Sequence, residues 1–130
     1  MDKLEISTIL PVKAAMVYTD WTTSKRHTEM TGGEAIIHNE VGSKYSAWDG
    51  YIFGTIEELV ENKLIQMSWR TADFVEESQN SQLQVMLEDI NNGCKITLKH
   101  WNIPDGDGEK YKDGWQEHYF EPMLLYYMED

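Results

Sequence analysis

Apolar and polar positions alternate from the second residue onward. Leu4, Ile6 and Thr8 fall on one side of residues 2–10, and Lys3, Glu5 and Ser7 on the other. A period of two predicts a strand with one buried face. After Pro11 the period lengthens. Ala14, Val17, Tyr18 and Trp21 lie at helical spacing, so residues 11–21 are expected to form a helix. Pro11 would sit in its first turn, where a missing N–H breaks no helical bond. Thr22-Thr23-Ser24 offers a cap for a second short helix ending near Gly32-Gly33.

From Gly33 the period returns to two. Strands are expected at 34–40, 43–48, 51–60, 63–71, 81–90 and 93–101. Val41-Gly42, Asp49-Gly50, Glu61-Asn62 and Asn91-Asn92-Gly93 mark the turns, and turns this short imply antiparallel neighbours. Residues 72–80 are polar and read as a longer loop. One face is apolar: Ile52, Gly54 and Ile56; Ile65, Met67 and Trp69; Leu83, Val85 and Leu87; Ile96, Leu98 and His100. The other carries Thr55, Gln66, Ser68, Gln82, Gln84, Glu88, Lys95 and Lys99. Such a sheet has one wet and one covered face.

The cover is expected at the C-terminus. After a loop at 102–108, a long helix from about Glu109 to Met128 would carry Tyr111, Trp115, Tyr119, Pro122 or Met123, and Tyr126 in one stripe. Pro122 removes a helical hydrogen bond and predicts a bend. Strands grouped between helices argue an α+β fold: a seven-stranded antiparallel sheet wrapped around the long C-terminal helix, with two short helices after the first strand.

Composition narrows the function. The 130 residues suit one domain, 1–130. The balance of 11 Lys and Arg against 23 Asp and Glu gives a net charge of −12. That argues against nucleic acid and against anionic membrane surfaces, which need a basic face. One cysteine, Cys94, suits a reducing compartment and reads as an inert buried thiol. No apolar run approaches the roughly 20 residues of a membrane span, and the charged start Met1-Asp2-Lys3-Leu4-Glu5 lacks a signal-peptide core. A cytoplasmic location is expected.

Several segments together resemble a known group. They are Val17-Tyr18 with Trp21-Thr22-Thr23; Thr31-Gly32-Gly33; Trp48-Asp49-Gly50-Tyr51-Ile52-Phe53-Gly54; Trp69-Arg70; His100-Trp101-Asn102-Ile103-Pro104; and Gly114-Trp115 through Tyr119-Phe120-Glu121-Pro122-Met123. In order and spacing the chain resembles the SRPBCC (START-like, helix-grip, Bet v 1-like) superfamily. Within it, the chain is similar to the C-terminal domain of the activator of Hsp90 ATPase. The resemblance implies seven strands gripping the last helix around a cavity. It does not imply one activity: members bind lipids, hormones or polyketides, some are cyclases, and the eukaryotic cochaperone binds Hsp90. That cochaperone carries a further N-terminal domain, which is not expected here because the first strand starts at residue 2.

The candidate chemistry is aromatic. Gly114 stands inside a helical pattern, where glycine costs about 1 kcal/mol relative to alanine. Either the helix backbone packs closely on the sheet there, or the glycine leaves space for a ligand beside Trp115. The expected cavity is lined by Tyr18, Trp48, Ile52, Gly54, Met67, Trp69, Val85, Leu98, His100, Trp115, Tyr119 and Met123. Large amphipathic rings of this kind fill a core or line an apolar site with a few polar handles. Four histidines, His27, His38, His100 and His118, show no metal-ligand spacing. His100 and His118 read as structural, with His100 as the polar handle or acid–base group if the cavity is used.

Other features read as structure. Asp105-Gly106-Asp107-Gly108-Glu109 lacks the later glutamate of a calcium loop, so Asp107 is read as a helix N-cap. Glu57-Glu58, Glu61, Glu76-Glu77 and Glu88-Asp89 read as solvated faces and turns. No catalytic residue, metal or cofactor is expected. The leading expectation is noncatalytic binding of a small hydrophobic or amphipathic ligand. The alternatives are an Hsp90-cochaperone-like interaction module, and a cyclase-like or hydrolase-like enzyme on a hydrophobic substrate. Tyr51 and Phe53, on the outer face of their strand, mark a possible interface with a chaperone partner or in a homodimer.

Overall fold

The computed structural model describes residues 1–128. Strand β1 (Asp2–Leu10) is followed by helices α1 (Ala14–Trp21) and α2 (Ser24–Thr31). Strands β2 (Lys44–Ala47), β3 (Ile52–Val60), β4 (Leu64–Thr71), β5 (Ser81–Ile90) and β6 (Gly93–Ile103) follow. The last described elements are α3 (Gly108–Trp115), a π-helical turn (Gln116–Phe120) and α4 (Glu121–Met128). The strands form one antiparallel sheet in the order β1-β6-β5-β4-β3-β2. The apolar face named from the alternation is the buried one: Ile56, Ile65, Met67, Leu83, Val85, Ile96, Leu98 and His100 all lie inside, under Tyr111, Trp115, Tyr119 and Met123 of the C-terminal helix.

Among the described residues the sheet has six strands, not seven. Residues 34–37 alternate as expected, with Ala35 and Ile37 buried and Ile36 exposed, but residues 38–40 are all exposed, and among the described residues the segment pairs with the sheet only through the bridge Ile36–Ser46. The Glu34 N–H goes to Asp49 Oδ1 at 3.0 Å, and those of Ala35 and Ile37 are taken by side chains of α2. Thr28 Oγ1 accepts the N–H of Ala35 at 2.9 Å, and Ser24 Oγ accepts that of Ile37 at 2.9 Å. Hydroxyls occupy the bonds a ladder would need. Ser68, assigned to the wet face, is also buried, and its Oγ accepts the N–H of Thr55 at 2.9 Å.

Both helical layers are capped by carboxylates from distant strands. The Asp2 carboxylate of β1 accepts the N–H of Gly106 at 3.0 Å and of Gly108 at 2.8 Å. Asp107, the expected N-cap, makes no side-chain cap bond. Asp89, expected to be solvated, accepts the N–H of Ala14 at 2.7 Å, the first residue of α1. Helix α1 therefore begins three residues after Pro11, which lies outside it. These contacts satisfy donors that every helix start leaves open and place negative charge at the positive dipole end.

The C-terminal helix is continuous but not uniform. The Glu121 N–H reaches back five residues to the Gln116 carbonyl. This widened turn ends one residue before Pro122, whose ring has no N–H and would clash with the His118 carbonyl in a regular α-turn. The expected bend is thus a π turn. Its extra residue lets Tyr119 and Phe120, adjacent in sequence, both be buried. Tyr127 of α4 then donates to Asp20 of α1 at 2.8 Å, and burial raises the Asp20 pKa.

Candidate functional site

A pocket of about 260 Å³ opens between the C-terminal helix and the β3–β4 end of the sheet. Its walls are Trp48, Tyr51, Ile52, Trp69, Tyr111, Gly114, Trp115, His118 and Tyr119. The π turn delivers the last two. Trp48 and Asp49 hold left-handed backbone conformations (φ 50° and 61°) in the β2–β3 turn, which aims Trp48 back over the helix. Its ring lies 5.2 Å from that of His118.

The polar atoms of the lining residues are mostly engaged elsewhere. Trp115 donates its indole N–H to His100 Nδ1 at 3.1 Å. His100 Nε2 lies 2.9 Å from Ser81 Oγ, which donates to the Trp69 carbonyl at 2.6 Å. Indole can only donate, so Nε2 carries the His100 proton. Tyr119 makes a second chain: its hydroxyl meets His27 Nε2 at 2.9 Å, and His27 Nδ1 donates to the Trp21 carbonyl at 2.8 Å. Burial holds the imidazoles neutral, lowering the pKa of His27 to about 4 and that of His100 to about 3. Tyr111 bonds Thr71 at 2.8 Å. The indole nitrogens of Trp21 and Trp48 are buried without a partner among the described residues.

A polar clasp marks the rim. Tyr51 donates to Asp73 at 2.6 Å, and Lys110 of α3 pairs with the same carboxylate oxygen at 2.8 Å. The Lys110 bond, then that of Tyr51, holds the Asp73 pKa below its ordinary value. Asp73 belongs to the 72–80 loop, which Arg70 pins through the carbonyls of Val75 and Ser78 and the side chain of Asn80, each at 2.9 Å.

Five of the twelve expected lining residues meet in the pocket: Trp48, Ile52, Trp69, Trp115 and Tyr119. Tyr18, Met67, Val85, Leu98 and Met123 lie in the surrounding core. Gly54 lies away from the pocket, where its backbone approaches the Ser68 carbonyl so closely that a Cβ would collide with it. His100 stands behind Trp115, both nitrogens held. Tyr51, assigned to an outer face, is at the rim, because it precedes β3 and follows the left-handed Gly50. Phe53 is on the outer face and 40% exposed. His118 is exposed rather than buried. Cys94 is buried, which pushes its thiol up to about 11.

The family model described as activator of Hsp90 ATPase homolog 1-like protein matches residues 11–124. The chain belongs to this family. Activator of 90 kDa heat shock protein ATPase homolog 1 of Mus musculus is 28% identical over 105 residues, covering 81% of this chain and 31% of the relative. The chain thus spans about a third of the length of that relative. An HSP90 activator from Plasmodium falciparum has a similar crystal structure, with a TM-score of 0.86 and 25% identity over 95% of this chain and 94% of the other. The solution structure of an Aha1 dimer from Colwellia psychrerythraea shares the fold at a TM-score of 0.75 and 15% identity, covering 97% and 90%. Among the described residues of this activator-family domain, no helix is long and apolar enough to cross a membrane.

Proposed function

We propose that this domain engages an Hsp90-type chaperone as a cochaperone-like interaction module. The observation that carries the reading is the likeness to the Plasmodium falciparum HSP90 activator, which runs along nearly the whole of both chains. The outer face offers a contact surface. Ile36, Ser46, Phe53 and Arg70 are successive cross-strand partners and so share one face. Ile36 and Phe53 are exposed there. The test is titration of the organism's own Hsp90 with this protein, reading binding calorimetry and chaperone ATPase rate. Binding with an altered rate is expected, and Phe53→Ala should weaken it about tenfold, as loss of an aromatic anchor does. Absence of both binding and rate change sinks the reading. Dimerisation through the same face would instead show as a Phe53-dependent, concentration-dependent sedimentation coefficient without chaperone.

A second reading rests on a separate observation, the pocket between sheet and C-terminal helix. Its aromatic lining and size suit noncatalytic binding of a small hydrophobic ligand. Saturable perturbation of the Trp115 indole signal by an apolar compound would support it.

A further inference from the structure

We infer that the pocket takes a neutral, flat aromatic group of about ten heavy atoms, two fused rings in size, and that Gly114 keeps its seat open. This rests on the reading of the pocket as a ligand site and names the class of ligand. Three observations carry it.

The first is Gly114. A Cβ built there meets nothing within 4 Å, and the residue is not among those with positive φ. Neither close packing nor backbone conformation requires glycine at this place. The expectation of helix backbone pressed on the sheet is therefore not met. Glycine is the least favourable residue but proline inside a helix, yet here it lies in α3, facing the pocket. What the missing side chain preserves is the space itself.

The second is chemistry. The hydroxyls of Tyr51, Tyr111 and Tyr119 and the indole N–H of Trp115 are bonded to Asp73, Thr71, His27 and His100 respectively. Apart from the unpartnered Trp48 indole N–H and the His118 imidazole, the pocket is left with carbon surfaces. A group with several buried donors or acceptors would leave most of them unpaired, which weakens binding. An anion would also meet a protein of net charge −12. A cation would lose its water with no carboxylate inside the pocket. Aromatic walls favour an aromatic occupant, since offset and edge-to-face contacts add to the burial of area.

The third is volume. An apolar cavity of about 150 Å³ holds benzene. At the same filling, about 260 Å³ holds about ten heavy atoms, the size of naphthalene.

The experiment follows indole N–H resonances of the intact protein during titration with naphthalene, decanoate and tetramethylammonium, in wild type and in Gly114→Ala and Gly114→Leu. Both variants should melt higher than wild type, Gly114→Ala by about 3 °C, so lost binding cannot be ascribed to misfolding. Naphthalene should saturate the Trp69 and Trp115 signals in wild type and leave Gly114→Leu unchanged. Binding of decanoate or tetramethylammonium alone overturns the aromatic class while leaving a ligand site. Failure of all three probes overturns both. Naphthalene binding equally to Gly114→Leu, or variants that melt lower than wild type, overturns the role of Gly114.

Discussion

Trp115 donates its indole N–H to His100 Nδ1 across 3.1 Å, and this bond determines which nitrogen of a buried imidazole carries the proton. The same logic applies to His27, between the Trp21 carbonyl and the Tyr119 hydroxyl. Both histidines brace pocket residues from behind. Protonating His100 would break the Trp115 bond, because the imidazolium has no acceptor.

A pH dependence of stability follows. Burial lowers the folded pKa values to about 4 for His27 and about 3 for His100, against about 6.5 for an unfolded histidine. Below pH 6.5 the unfolded chain takes up protons that the folded chain refuses. Stability from these two groups is fully present above pH 6.5 and is lost as pH falls through the folded values. The slope is about 1.4 kcal/mol per pH unit for each histidine. Asp20, whose pKa burial raises, titrates in the opposite sense, so the measurement is a comparison of variants. Urea unfolding of His100→Asn from pH 7 to pH 4 should show lower stability at pH 7 and a visibly smaller loss on acidification. An unchanged slope would mean that His100 is accessible to protons in the folded state.

Asp2 and Asp89 should be worth more than their sequence context suggests. Each caps a helix more than 70 residues away along the chain, Gly106 and Gly108 for Asp2 and Ala14 for Asp89. Asp2→Ala and Asp89→Ala are each expected to cost about 1–2 kcal/mol in chemical unfolding. Asp107→Ala should cost clearly less, since Asp107 makes no cap bond. The reverse ranking would restore the local cap.

These caps show where sequence reasoning stops. Period two along 81–90 and 93–101 fixes which residues face inward, because a one-residue slip would turn every side chain over. The buried stripe Tyr111, Trp115, Tyr119 and Met123 was legible for the same kind of reason. Aromatic pocket residues were legible only as a class: Trp48, Trp69, Trp115 and Tyr119 converge, whereas Tyr18 and Met67, equally apolar, pack in the core. Nothing local distinguishes a ring that faces a gap from one that faces another ring. Tyr111 lies on the buried stripe, but its hydroxyl partner at the pocket, Thr71 of β4, is 40 residues away along the chain. Phe120 was missed because its burial needs the π turn, and the signal for that turn was Pro122 two residues later. His27 sits on a helix whose other residues except Met30 are polar, so its partner Tyr119, 92 residues away, was invisible.

The missing seventh strand makes the last test. Residues 34–37 have strand alternation, yet α2 holds them by two hydroxyls. Thr28 accepts from Ala35 and Ser24 from Ile37, and both donor residues are buried. Removing a hydroxyl leaves a backbone N–H without its partner, at a cost of about 1–3 kcal/mol. Ser24→Ala and Thr28→Val should therefore each destabilise the fold by about that amount, and amide exchange of Ile37 and Ala35 respectively should accelerate. Thr28→Ser keeps the acceptor and should stay close to wild type. Were the segment held by its apolar side chains alone, Thr28→Val would be neutral, and slow exchange at Ala35 would survive it.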